Sequence, residues 1–328
     1  MSPTHPTVVV LHDGTHPSTS AEIEQLAEVR YATENELADA LPGADVLFVW
    51  HFLSEAVADA WPAQDCLRWV HVASAGVDKL LFDGLLDSPA TLTNSRGVFD
   101  RPMAEYVLGT VLTFAKDLHT SVRLQDEKRW QHRETERIHD KRALVVGTGP
   151  IGRAIAQQLT AAGLSVTGAG RVGRVDDPDF GDVYASDQLG DVLGDQDYVV
   201  LAAPLTEQTR HMINAETLAR FKPSARLINV GRGDLAVQED LVEALTAGTI
   251  AGAALDVFDT EPLPGTSPLW EMPNVLVSPH MSGDTVGWTD ELADLFTTNL
   301  RRYLADETLH NVVDKKRGYV STSGSEQH

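Results

Sequence analysis

An α/β architecture with two doubly wound parallel sheets follows from three features of this 328-residue chain. Short apolar runs alternate with amphipathic stretches along most of its length, the rhythm of parallel sheets covered on both faces. Residues 141–171 set a glycine fingerprint between a strand and a helix. Three later strands run out into charged and imidazole side chains, at the edge where open parallel sheets bind ligands.

Taken in order, residues 1–96 predict strands at 7–11, 44–50, 67–73 and 91–93, and helices at 22–28, 34–41, 55–60 and 78–86. Pro102 stands at the opening of a long helix over 103–118, where its missing N–H costs nothing. The polar, charge-mixed stretch 126–140 reads as a surface arm. His132 and His139 lie in it without a metal-binding spacing, and Gly14 and Pro17 keep His12 and His16 off a helix, so no metal site is expected. A strand at 143–146, a helix at 153–162 and a strand at 164–167 make one βαβ unit. Strands at 198–203, 226–230, 252–257 and 275–278, with helices near 215–221 and 238–247, bring the second sheet to about six strands, the doubly wound number. A helix over 289–304 and a polar tail close the chain. The division that results is a dinucleotide-binding domain at 98–285 inserted into a first domain of 1–97 plus 286–328.

In the fingerprint Gly147-Thr148-Gly149-Pro150-Ile151-Gly152, Gly147 permits a tight turn and Gly149 lets backbone approach a pyrophosphate. Gly152 lets helix pack on strand, and the phosphates sit on the unpaired N–H groups of the helix start, next to Pro150 (which has no N–H of its own) and Ile151. The second strand of the unit leads into Arg171, with Arg174 three residues on. An NAD site places Asp or Glu there for the ribose 2′-hydroxyl. With that acid missing, Arg171 and Arg174 suit a 2′-phosphate, so NADP (as NADPH) is the expected cofactor and NAD the weaker alternative. Asp176 and Asp177 follow in what reads as a loop.

Acidic residues number 48 against 26 Lys plus Arg, of which seven are lysine, for a formal net charge of −22. The excess is spread along the chain, which implies a solvated acidic surface adapted to high salt. At ~1 M salt the screening length falls to ~3 Å and self-repulsion largely disappears. Nucleic acid and anionic membranes are not expected partners for such a surface. No apolar run approaches the ~20 residues of a membrane span, and the N-terminus lacks the features of a signal peptide. A single cysteine, Cys66, rules out an internal disulfide framework and a cysteine zinc cluster. These features favour the cytoplasm.

The strand ends carry the chemistry. Arg232 follows 226–230, Glu261 follows 252–257 and His280 follows 275–278. Together they suit reduction of a 2-oxo acid. Hydride reaching the ketone carbon leaves an alkoxide that needs a proton, and histidine donates near neutral pH. A carboxylate beside the imidazole favours its protonated form. Arginine forks onto the substrate carboxylate and polarises the carbonyl. Singly, each also reads as an ordinary loop residue; their shared placement downstream of the fingerprint favours the chemical reading.

The segments GTGPIG, NVGRGD, LDVFDTEPLP and SPHMSG, in this order and spacing, resemble the D-2-hydroxyacid dehydrogenase family, and ASAGVD at 73–78 resembles its substrate loop. The resemblance implies a Rossmann nucleotide-binding domain inserted into a flavodoxin-like substrate domain. It implies that Arg232 binds substrate, His280 is the acid/base and Glu261 tunes His280. The substrate carboxylate would meet backbone N–H groups around Gly76 and Val77, beside Ala75. Val230, Asp256, Ser282 and Gly283 would lie near the nicotinamide, and Pro204 and Thr209 along the cofactor groove. A homodimer using the helix after Pro102 and the following arm is implied on the same terms.

Glu261 separates the chain from the related formate dehydrogenases, which carry glutamine in that role. Trp50 and His51, after the strand ADVLFV, resemble the glyoxylate/hydroxypyruvate reductase branch, although Phe52 stands where that branch often has proline. Trp50, Phe52, Met103 and Trp288 either shape a pocket for a branched or aliphatic 2-oxo acid or form plain core. The expected activity is NADPH-dependent reduction of a 2-oxo acid to a D-2-hydroxy acid. The alternatives are NAD-dependent oxidation of a D-2-hydroxy acid and, in a different class, a non-catalytic dinucleotide-sensing regulator on the same fold.

Overall fold

The computed structural model describes residues 5–320. The chain divides into two compact units, one formed by Met1–Val98 with Thr285–His328 and the other by Phe99–Asp284.

Among the described residues the first unit holds five parallel strands, β1 (Thr7–Leu11), β2 (Glu28–Ala32), β3 (Val46–Val49), β4 (Trp69–Val72) and β5 (Thr91–Asn94), in the order β2-β1-β3-β4-β5. This is the flavodoxin-like order. Alternate residues serve opposite faces. Val9, Leu11, Leu47, Val49, Val70 and Val72 pack with Leu37, Leu41, Val57 and Leu85 on one side. On the other, the Trp288–Leu304 helix stacks Phe296 on Phe48 at 3.9 Å and on Trp69 at 5.2 Å between ring centroids. His71 is fully buried beside them with Nδ1 2.7 Å from Thr93 Oγ1, and burial pushes its pKa down to about 3. It is therefore a neutral core residue. The first helix ends at Leu26, not 28, and β2 follows it unexpectedly. Glu28, Arg30 and Tyr31 are not buried, so this edge strand lacks the apolar signal of its neighbours.

The second unit holds β6 (Arg142–Val146), β7 (Ser165–Gly170), β8 (Arg174–Asp177), β9 (Gly181–Ala185), β10 (Tyr198–Leu201), β11 (Arg226–Asn229), β12 (Gly252–Leu255) and β13 (Val275–Val277). Their order is β13-β12-β11-β10-β6-β7-β9-β8, parallel throughout except for β8 against β9. From β9 through β7, β6, β10 and β11 to β12 this is the Rossmann order 3-2-1-4-5-6. Two strands exceed the expected six. β8 is a short, polar edge strand, β9 lies between it and β7, and Asp176 and Asp177 lie in β8 instead of the expected loop.

Leu144, Val146, Val199, Leu201 and Leu227 face Leu218, Leu241 and Leu245 on one side of this sheet. Ala143, Val145, Tyr198, Val200 and Ile228 face Val107, Val111, Phe114, Ile155 and Leu159 on the other. The helix expected over 103–118 runs from Asp100 to Ala115, and a second, unexpected helix, Leu118–Asp126, follows it after Asp117, which adopts φ +50. Pro102 falls inside the first turn and not at its first residue. The arm beyond is irregular, anchored by Glu136, whose carboxylate accepts from Arg226 at 2.7 Å. Among the described residues no helix is long and apolar enough to cross a membrane, and no group of three His, Cys, Asp or Glu is placed to hold a metal ion.

Candidate active site

Because the strands are parallel, β6, β7, β10, β11, β12 and β13 all deliver their following loops to one edge of the second unit's sheet. The glycine turn lies there, between β6 and the Pro150–Ala161 helix. Gly147 has φ +110, and a Cβ on it would stand 2.5 Å from the Ala202 carbonyl oxygen. At Gly152 a Cβ would stand 1.8 Å from the Gly147 carbonyl oxygen. Gly149, the helix N-cap, has open space where its Cβ would be and supplies no side chain to cap the helix. Two glycines thus close the turn while the middle one leaves its backbone approachable, with Pro150 and Ile151 starting the helix. A pyrophosphate fits that arrangement. Nearby, Thr209 Oγ1 donates to the Pro204 carbonyl at 2.7 Å and accepts from Thr206 N–H at 2.8 Å, which closes the loop after β10.

Arg171 is exposed just past β7. Arg174, expected beside it as a phosphate ligand, has a different commitment: its Nε donates to Asp177 Oδ2 at 2.7 Å. Asp177 also takes two hydrogen bonds from Arg153, each at 3.0 Å, and Arg153 is further paired with Asp179. Burial works against the Asp177 carboxylate, but its two arginines outweigh that and hold its pKa well below the ordinary range. Sequence patterning missed this cluster because Arg153 and Asp177 are 24 residues apart.

The three strand-end residues come together. Asn229 staples the loop after β11, accepting from Gly231 N–H at 3.1 Å and donating to the Arg232 carbonyl at 2.9 Å. Val230 is buried behind it. A Cβ at Gly233 would lie 2.1 Å from the Phe258 carbonyl carbon, so the loops after β11 and β12 pack backbone against backbone. Glu261 then accepts from Phe258 N–H at 2.9 Å through one oxygen and lies 2.7 Å from His280 Nδ1 through the other. Burial disfavours its charge, yet the His280 and Phe258 hydrogen bonds and the charge of Arg232 prevail, leaving its pKa below the usual glutamate value. An ionised carboxylate can only accept, so Nδ1 of His280 carries the proton and Nε2 is left to exchange one with a substrate. His280 holds φ +52, and its N–H donates to the Asp256 carbonyl at 2.8 Å. Asp256 is completely buried and accepts from Ser282 N–H at 2.8 Å. Gly283 packs on Phe99, where a Cβ would come within 2.7 Å of the ring.

Apart from Arg232 and Met103, the expected substrate residues lie in the first unit. The Ala75 carbonyl accepts from Asn94 Nδ2 and the Gly76 carbonyl from Ser74 Oγ, both at 2.6 Å. In a trans peptide the N–H points opposite the carbonyl, so the Gly76 and Val77 N–H groups face away from these anchors. Trp50 is buried with its ring edge-on to Phe48 at 5.7 Å, a core position. His51 Nδ1 is 3.7 Å from Glu34 Oε1, and Phe52 meets Trp288 edge-on at 6.0 Å. Met103 belongs to the second unit, packed against its core.

Residues 108–282 match the family described as D-isomer specific 2-hydroxyacid dehydrogenase, NAD binding domain. This chain belongs to that family. Glyoxylate/hydroxypyruvate reductase A of Photorhabdus laumondii is 31% identical over 282 residues, covering 84% of this chain and 88% of that one. A D-isomer specific 2-hydroxyacid dehydrogenase of Xanthobacter autotrophicus Py2, solved with NADPH and MES, superposes with a TM-score of 0.80 at 32% identity, covering 96% of this chain and all of that one. An NADPH-dependent glyoxylate/hydroxypyruvate reductase of Sinorhizobium meliloti, solved with NADP and sulfate, gives a TM-score of 0.82 at 29% identity, with the same coverage.

Proposed function

We propose that this D-2-hydroxyacid dehydrogenase reduces a 2-oxo acid to a D-2-hydroxy acid with NADPH. The observation that carries the reading is the 2.7 Å pairing of His280 Nδ1 with ionised Glu261, on a loop packed against the one that carries Arg232. When bound, the nicotinamide supplies the hydride. Arg232 orients the substrate carboxylate and polarises the ketone. His280 gives the proton to the resulting alkoxide from Nε2, and Glu261 stabilises the imidazolium before that transfer. Asp256, Val230, Ser282 and Gly283 are assigned to the nicotinamide end of the groove, and Pro204 and Thr209 to its wall. In the first unit, the Gly76 and Val77 N–H groups are suited to an anionic oxygen, with Ala75 holding the turn.

The preference for NADPH rests on Arg171 at the strand end where an NAD site has a carboxylate, and it agrees with the NADP(H) bound to the two solved relatives. Arg174 supports it less, since its Nε already serves Asp177. A homodimer is proposed from the exposed apolar residues Leu118, Val122 and Trp130 on the second helix and the arm. Adaptation to high salt is proposed from the net charge of −22.

Steady-state kinetics and NADPH titration of His280→Ala and Arg232→Ala test the roles. Each variant is expected to lose at least about a hundredfold in kcat/KM while binding NADPH nearly as the parent does. Parental kcat in both refutes the assignment.

A further inference from the structure

Beneath the loop of His280 lies a hydrogen-bond relay that runs into Asp256 through Tyr106 and Ser278, two residues the chemistry above does not use. Asp256 Oδ1 accepts from the Ser278 hydroxyl at 2.6 Å and from Met281 N–H at 2.9 Å, and Oδ2 accepts from Ser282 N–H at 2.8 Å. The single Ser278 hydroxyl proton is therefore committed to the carboxylate. Tyr106, whose hydroxyl lies 2.5 Å from Ser278 Oγ, must be the donor in that contact. It belongs to the Asp100–Ala115 helix, and Met103, one turn earlier, and Phe99 pack on Gly283. Spacings of four and three put residues 99, 103 and 106 on one helix face. That face thus braces both ends of the segment 278–283, in which His280 keeps a left-handed backbone disfavoured by any Cβ.

We propose that Tyr106 and Ser278 are positioning residues for His280, the Tyr106–Ser278–Asp256 relay locking the loop that presents the imidazole to Glu261. This rests on the reading of His280 as proton donor.

The test combines steady-state kinetics, NADPH titration and amide hydrogen exchange on full-length Tyr106→Phe, Ser278→Ala and Ser278→Thr. Losing a hydrogen bond that feeds a charged group corresponds to about a tenfold effect. In Tyr106→Phe and Ser278→Ala, kcat is expected to fall about tenfold with KM and the Kd for NADPH within about twofold, and residues 278–283 to exchange about tenfold faster. Ser278→Thr keeps the hydroxyl and is expected to restore both. Unchanged exchange in this segment, or a kcat loss matched by an equal loss of NADPH affinity, overturns the proposal. If the parent protein turns over no 2-oxo acid, the functional reading fails separately, and exchange at Met281 and Ser282 still decides whether the relay holds the loop.

Discussion

Which nitrogen of His280 meets the substrate is decided by a neighbour, because ionised Glu261 claims the proton on Nδ1. Replacing that charge by a neutral amide makes the imidazolium less favourable. In Glu261→Gln, the limb on which reduction slows as pH rises is therefore expected to move to lower pH. A full pH–rate profile checks this, and an unshifted limb contradicts the tuning role. Arg232, Glu261 and His280 were legible in the sequence because each stands just past a strong apolar strand, where backbone topology alone brings them to one sheet edge. Tyr106 and Ser278 were not, since their contact joins positions 172 apart and depends on how one helix rotates against one loop. Asp177 was hidden for a similar reason: two acids before Pro178 read as a loop until Arg153 and Arg174 fold onto one of them.

At the level of elements, the glycine turn is set by carbonyl oxygens that leave no room for a methyl group. Gly152→Ala puts a Cβ 1.8 Å from the Gly147 carbonyl oxygen, so either the helix or the turn must move. The expected cost is about 1–3 kcal/mol of stability, the usual range for overpacking, together with a loss of NADPH affinity. Thermal melting and cofactor titration read the two effects, and parental values in both contradict the described turn. Central strands such as β6, β10 and β11 announced themselves as runs of buried apolar residues. Two edge strands, β2 and β8, did not. β2 carries Glu28 and Arg30, and β8 is Arg-Val-Asp-Asp, so hydrogen bonding to a neighbour decides their state where apolar pattern decides that of the centre. The break at Asp117 was likewise invisible, because apolar periodicity continues past a residue whose φ is +50.

For the molecule as a whole, 48 carboxylates against 26 lysines and arginines make self-repulsion a general term in stability. Melting temperature is expected to rise as KCl increases from about 0.1 M to about 2 M, through screening of that repulsion. A melting temperature that peaks below physiological salt contradicts this. The pairing of a dinucleotide turn with an Arg, Glu and His cluster on one sheet edge makes a sharper claim about activity. It is tested most directly by measuring kcat/KM with glyoxylate, hydroxypyruvate, pyruvate and 2-oxoisocaproate, each with NADPH and with NADH, and by determining the configuration of the product. At least one of these acids is expected to be reduced to a D-2-hydroxy acid (glycolate, from glyoxylate, being achiral), with NADPH favoured about tenfold or more by a charged hydrogen bond to its 2′-phosphate. No oxidation of either cofactor with any of the four acids contradicts the account.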